Sequence, residues 1–176
     1  MNENISAEEN AAELLITRSV NAPRELVFKV CTEPEHLSRW WGPKGFDMHV
    51  SKLELRPGGV FHYSQRSPEG QVMWGKFVYR EITAPERLLF TSAFSDEEGN
   101  TVRAPFSATW PLEILNDWQF FESDGKTTMT MRGTPVSPTD DELATFKNAK
   151  SMLQQGFAGT FQQLENYLFE LTEGSR

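Results

Sequence analysis

Few side chains in this sequence are spaced for chemistry. The three histidines, His36, His49 and His62, stand thirteen residues apart, with no second histidine at helical or strand spacing and no nearby cysteine. Metal sites need clustered ligands, so no metal centre is expected. No Gly-rich loop leads into Lys-Ser or Lys-Thr, and no serine sits in a Gly-x-Ser-x-Gly setting. A phosphate-cradling loop and a nucleophile elbow are therefore not expected, and no cofactor is implied. Asp47, Glu54, Glu81, Glu113 and Asp117 fall on candidate strands. A carboxylate facing an apolar pocket has a raised pKa and can act as acid or base. Strand parity groups Leu112, Ile114, Trp118 and Phe120 on one face, with Glu113 and Asp117 on the other. Both carboxylates then face solvent, unless a bulge beside Pro111 turns Glu113 inward. Glu113, Asp47, His62 and Tyr63 are the candidates for an acid or base.

The aromatic residues say more. Five Trp and thirteen Phe exceed what a small core usually collects. On one strand Trp74 shares a face with Val72, Val78 and Ile82, while Met73, Phe77 and Tyr79 form the other. Leu88, Phe90 and Phe94 share a face, as do Met129 and Met131. Such rings, with adaptable Met, are the material of apolar ligand pockets, and equally of a solid core. Candidate ligand-binding residues are Trp40, Trp41, Phe46, Trp74, Phe90, Trp110, Trp118, Met129, Met131, Phe157 and Phe161.

These residues need a frame. From Ser137 to about Leu171, apolar residues recur at Leu143, Phe146, Ala149, Leu153, Phe157, Phe161, Leu164, Leu168 and Leu171. Steps of three and four make one stripe of a helix about 50 Å long, with Ser137 as its expected cap and Pro138 in its first turn. Gly156 and Gly159 interrupt that helix. Either the sheet approaches closely there, or the glycines make room in a pocket. Ahead of the helix, Leu14 to Val20 reads as a strand. Two short helices follow, the first capped by Asn21 or Ala22, the second ending near Trp40-Trp41-Gly42-Pro43. The next strands are Phe46–Leu55, Val60–Gln65, Val72–Ile82 and Arg87–Phe94. A poorly readable stretch then precedes a hairpin of Leu112–Phe121 and Lys126–Arg132 through Ser123-Asp124-Gly125. Short turns make such a sheet mostly antiparallel, and only the long helix is large enough to cover it. The expected class is α+β: a curved sheet of about six or seven strands wrapped around the C-terminal helix.

A net charge of −8 over 176 residues argues against nucleic acid or an anionic membrane as partner. Much of the charge lies near the start, so residues 1–12 are expected to be a mobile acidic leader, with one domain over 13–173. No apolar run reaches the roughly 20 residues of a membrane helix. No signal peptide is visible. The single cysteine, Cys31, excludes an intrachain disulfide and suits a cytoplasmic setting. It is expected to be a buried, inert thiol.

Motifs along the chain carry a resemblance. They include Ile16-Thr17-Arg18 with Ala22-Pro23, Trp40-Trp41-Gly42-Pro43, Arg56-Pro57-Gly58-Gly59 and Tyr79-Arg80-Glu81-Ile82. Pro85-Glu86-Arg87-Leu88, Asp124-Gly125-Lys126-Thr127 and Leu164-Glu165-Asn166-Tyr167-Leu168 continue the series. From about residue 14 to 169 the chain resembles the START-like (SRPBCC) helix-grip superfamily. Within it, the chain is similar to single-domain bacterial proteins of the AHSA-like family, related to the activator of heat shock protein 90 ATPase. Two departures stand out: Phe157 replaces a Trp frequent in the family, and the N-terminal domain of the eukaryotic activators is missing. The resemblance implies a helix-grip fold and a pocket, and does not transfer a reaction. The first expectation is binding of a small, largely apolar molecule between sheet and helix. The alternatives are a polyketide cyclase or aromatase type of enzyme using a pocket acid or base, and a co-chaperone type of protein contact implied by the family. An edge strand or the aromatic excess could also support a homodimer.

Overall fold

The computed structural model describes residues 12–173. The acidic leader expected over 1–12 lies outside them, save its last residue. Glu13, the first acidic residue beyond it, pairs with Arg132.

The element order is β1 (Leu14–Val20), α1 (Arg24–Val30), α2 (Pro34–Trp40), β2 (Asp47–Leu53), β3 (Val60–Arg66) and β4 (Val72–Thr83). It continues with β5 (Arg87–Ser95), β6 (Ile114–Ser123), β7 (Lys126–Pro135) and α3 (Asp140–Thr172). The strands form one sheet in the order β1-β7-β6-β5-β4-β3-β2, and every pairing is antiparallel. This is the expected α+β helix-grip architecture, with seven strands. Hairpin connections build it locally, except that β1 closes onto β7 from the far end of the chain.

Period-2 alternation sets the inner face. Phe61, Phe77, Tyr79, Leu88, Phe90, Trp118, Phe120, Met129 and Met131 are buried there. One bulge changes a reading made from strict alternation. The β4–β5 register shifts between Tyr79 and Glu81. Ile82 therefore pairs with Leu88 and joins the inner face, away from Trp74. Pro23 takes the N-cap position of α1, and neither Asn21 nor Ala22 does.

Helix α3 starts two residues later than its expected cap. Ser137 adopts a left-handed φ of 44° and stands outside the helix. Thr139 caps instead: its hydroxyl accepts from the Glu142 N–H, and the Glu142 carboxylate accepts from the Thr139 N–H. This is a capping box. The Thr139 N–H first, then Arg103, holds the Glu142 carboxyl below its usual range. Glu142 is thus an anion that joins the helix start to the loop before β6.

The packing of α3 is discontinuous. Near its start Glu142 and Phe146 are buried; near its end Thr160, Phe161, Leu164, Tyr167 and Leu168 are buried. Between Phe146 and Thr160 no helix residue is buried. The helix bridges two anchor points over a free span of about 20 Å. Gly156 and Gly159 lie on this span, exposed, and a Cβ at either would meet nothing within 4 Å. Neither close approach to the sheet nor room in a pocket explains them. Both have helical backbone, so Gly156→Ala and Gly159→Ala should each stabilise the domain by about 0.5–1 kcal/mol. Urea unfolding checks this; a loss of stability would show that the glycines serve a contact.

Candidate functional site

Trp40 and Trp41 are adjacent in sequence and meet opposite fates. Trp40 closes α2 and is sealed in the core, its indole N–H donating to the Val30 carbonyl at 2.9 Å. Trp41 leaves the helix in extended conformation and inserts its ring between sheet and α3. Its ring centroid lies 5.5 Å from Phe77, 5.8 Å from Trp118 and 6.2 Å from Phe157. The next residue fixes this geometry. Gly42 has φ 110°, and a Cβ there would stand 2.3 Å from the Gln65 amide nitrogen. Its carbonyl accepts from Thr160 Oγ1 at 3.2 Å and Gln163 Nε2 at 2.7 Å. The Trp41-Gly42 turn is thereby tied to the C-terminal anchor of α3.

Beyond Trp41, under the free span of the helix, lies a cavity of about 240 Å³. For scale, an engineered apolar cavity of about 150 Å³ accepts benzene. The sheet forms the floor with Tyr63, Phe77, Phe90, Ser92, Asn116, Trp118 and Met131. Helix α3 forms the roof with Phe146, Leu153, Phe157 and Phe161. The loop before β6 closes one end through Trp110, whose ring lies 5.7 Å from Phe146. Arg103 holds that loop, donating to the Trp110 carbonyl and pairing with Glu142. A second hollow, of about 380 Å³, runs outside between β1 and the end of α3. It mixes Ser19, Asn21, Gln162, Glu165 and Asn166 with Leu168 and Phe169, and none of the candidate residues borders it.

Of the eleven ligand-binding candidates, Trp41, Trp74, Phe90, Trp110, Trp118, Met131, Phe157 and Phe161 border the cavity. Trp40, Phe46 and Met129 do not, and these three are corrections. Trp40 and Met129 are consumed by the core, at 1% and 0% exposure. Phe46 precedes β2 in the turn after α2, its N–H bonded to the Pro43 carbonyl. Trp74 needs a correction of another kind. Its ring stacks on His62 at 4.9 Å, and its register position lies on the outer face of the sheet, opposite the face of Phe77.

Of the four acid–base candidates, only Tyr63 borders the cavity. His62 lies outside it, with Nε2 3.1 Å from the Asp96 carbonyl oxygen. Asp47 is exposed on edge strand β2, and Glu113 precedes β6 without reaching the cavity. The Tyr63 ring fits because its partner across β4 is Gly75, where a Cβ would stand 2.8 Å from the phenol oxygen. Burial pushes the Tyr63 phenol up, and a hydrogen bond from the Trp41 side chain opposes this. Tyr63 therefore stays protonated near neutral pH and is a hydrogen-bond donor, not a base. Burial likewise pushes the Cys31 thiol up, as an inert core residue requires.

Besides Arg132, whose position pairs on the outer face, three uncharged polar wall residues escaped the sequence reading: Gln65, Ser92 and Asn116. The signal was present in the parity. Each alternates with apolar residues on the inner face, Gln65 after Phe61 and Tyr63, Ser92 between Phe90 and Phe94, and Asn116 between Ile114 and Trp118. Among the described residues there is no group of three His, Cys, Asp or Glu placed to hold a metal. No described helix is long and apolar enough to cross a membrane.

An open antiparallel sheet with β1 at one edge, roofed by a bridging helix, is a shape shared with known proteins. The family model described as Activator of Hsp90 ATPase homolog 1-like protein matches residues 21–169. The chain belongs to this family. Solved structures agree. The AHSA1-like chain is similar to a protein from Arthrobacter aurescens, with a TM-score of 0.76 and 25% identity over 92% of this chain and 88% of that one. Ms6760 from Mycobacterium smegmatis gives a TM-score of 0.73 and 25% identity over 90% and 91% of the two chains. NE0264 from Nitrosomonas europaea gives 0.73 and 25% over 94% and 97%. No functionally curated protein matches the AHSA1-like chain. The family and its fold suggest ligand binding, cyclase-like chemistry or a chaperone-related contact.

Proposed function

We propose that this AHSA1-like protein binds a small, uncharged, largely apolar molecule in the cavity beneath α3. The observation that carries this is the free span of the helix. Two anchors hold α3 above the sheet, and the volume between is walled by rings and left unfilled. A domain selected for stability alone would be expected to fill such a volume, because each missing methylene in a core costs stability. Enclosed apolar walls with a few polar groups are the usual form of a small-molecule site.

The cyclase-like alternative needs an acid or base at the cavity. Tyr63 is the one candidate that borders it, and its raised phenol suits donating a hydrogen bond more than removing a proton. The chaperone-linked alternative would use an outer surface and leaves the cavity unexplained. A cytoplasmic setting remains proposed on the cysteine usage alone. Titration with naphthalene, followed by the indole N–H signals of the five tryptophans, tests the binding reading. Saturable shifts centred on Trp41 and Trp118 support it. Unchanged indole signals up to the solubility limit of naphthalene would sink it.

A further inference from the structure

The cavity wall is mostly apolar; besides Tyr63, Gln65 and Arg132 at its border, a hydrogen-bonded polar pair is set into its floor. Ser92 on β5 and Asn116 on β6 share the inner face with Phe90, Phe94, Ile114 and Trp118, and both border the cavity. Asn116 Nδ2 donates to the Ile114 carbonyl at 3.1 Å and to Ser92 Oγ at 3.0 Å, with the Phe90 carbonyl at 3.5 Å. Main-chain carbonyls can only accept, so the nitrogen end of the amide must face them. Asn116 Oδ1 is thereby turned the other way, toward Gly133. A Cβ at Gly133 would stand 3.7 Å from this oxygen, so the glycine leaves the space on that side open.

The pair is thus oriented by the protein. Ser92 Oγ accepts from Asn116, which leaves its own proton free to donate. Among the described residues, no hydrogen bond takes that proton and none reaches Asn116 Oδ1. One donor and one acceptor stand at the two ends of the Asn116 amide, on residues that both border the cavity. A hydroxyl group satisfies both at once: it donates to Asn116 Oδ1 and accepts from the Ser92 hydroxyl. A hydrocarbon entering the cavity would displace water and leave both groups unpaired. A carboxylate would face Asn116 Oδ1 with no cation to hold it. Arg132, the one charged residue bordering the cavity, aligns with Asp117 on the outer face and pairs with Glu13.

We propose that the Ser92–Asn116 pair makes this cavity a site for neutral, hydroxyl-bearing apolar molecules, of the size and chemistry of a phenol or alcohol on one or two rings. The proposal rests on the ligand-binding reading above and assigns it a ligand class. The experiment compares naphthalene, 2-naphthol and 2-naphthoate at pH 7 on the unaltered protein, Ser92→Ala and Asn116→Leu. The unaltered protein should bind 2-naphthol about tenfold or more tighter than naphthalene, because unpaired buried polar groups are costly. It should bind 2-naphthoate more weakly than either. In each variant the advantage of 2-naphthol should fall to within about threefold, through weaker binding of 2-naphthol and tighter binding of naphthalene. Circular dichroism checks folding; if Asn116→Leu does not fold, the smaller Ser92→Ala change decides. Equal binding of naphthalene and 2-naphthol, an advantage that survives Ser92→Ala, or preferred binding of 2-naphthoate would overturn the proposal while leaving a binding cavity in place. Failure of all three probes would sink the binding reading and this inference with it.

Discussion

Phe161→Ala is expected to lower the stability of the domain by about 3–5 kcal/mol, the usual cost of deleting a buried phenyl ring. Phe161 is 1% exposed on the C-terminal anchor of α3. Its ring centroid lies 5.8 Å from Trp40 and 6.3 Å from Trp118, so it joins the sealed core to the sheet across the helix. With total stability of about 5–15 kcal/mol for such domains, the change removes a large share. Taking a urea slope of about 2 kcal/mol per molar, the midpoint should fall by about 2 M. Phe157 provides the control. It lies one turn earlier, is half-buried, and faces the cavity. Phe157→Ala should cost less, about 1–2 kcal/mol, since its ring is only half-buried and borders the cavity on one side while touching Trp41 and Phe161 on the other. Equal losses for the two variants would show that α3 packs evenly along its length and that no free span exists.

The second large effect concerns binding rather than stability. Leu153→Trp should weaken binding of naphthalene roughly tenfold or more, equivalent to at least about 1.4 kcal/mol. Leu153 sits on the free span, half-buried, and borders the cavity from the roof. An indole there can occupy the space a ligand would use. Because the span makes few contacts with the sheet, unfolding free energy should move by less than about 1 kcal/mol. Undiminished binding in a folded Leu153→Trp variant would place the probe elsewhere, with the outer hollow beside Phe169 as the first place to look.

The fold was legible because its signals are local. Alternation in β3 through β7, Pro and Gly punctuation, and the stripe of α3 each mark an element, and one covering helix leaves few arrangements. The boundaries of α3 were less legible: Ser137 and Thr139 are both chemically suited to cap, and only the reciprocal bond with Glu142 decides between them. The site was legible in its greasy part and not in its polar part. Bulky rings announce a core or a pocket but not which. Whether Trp40 or Trp41 meets the cavity depends on where α2 ends, a matter of one residue. Trp74 was misplaced as a pocket ring although its own strand parity set it opposite Phe77. The roles of Ser92 and Asn116 arise from a cross-strand bond, which no single strand encodes.

The helix glycines carry a related lesson. A glycine inside an amphipathic stripe invites a packing reason, yet both face open space. The stripe itself continues through Leu153 and Phe157 across a span where no residue is fully buried and both border the cavity. Apolar periodicity there reports a cavity roof, with the same sequence pattern that a packed face would give.

The most direct measurement of the central claim is the naphthalene titration read at the five indole N–H groups, each assigned by its Trp→Phe variant. Trp41 and Trp118 border the cavity with their rings, whereas Trp74 stacks on His62 across the sheet. Binding beneath α3 predicts saturable shifts that are largest for Trp41 and Trp118 and smallest for Trp74. Shifts confined to Trp74, or saturation at no tryptophan, would contradict a ligand cavity between sheet and helix.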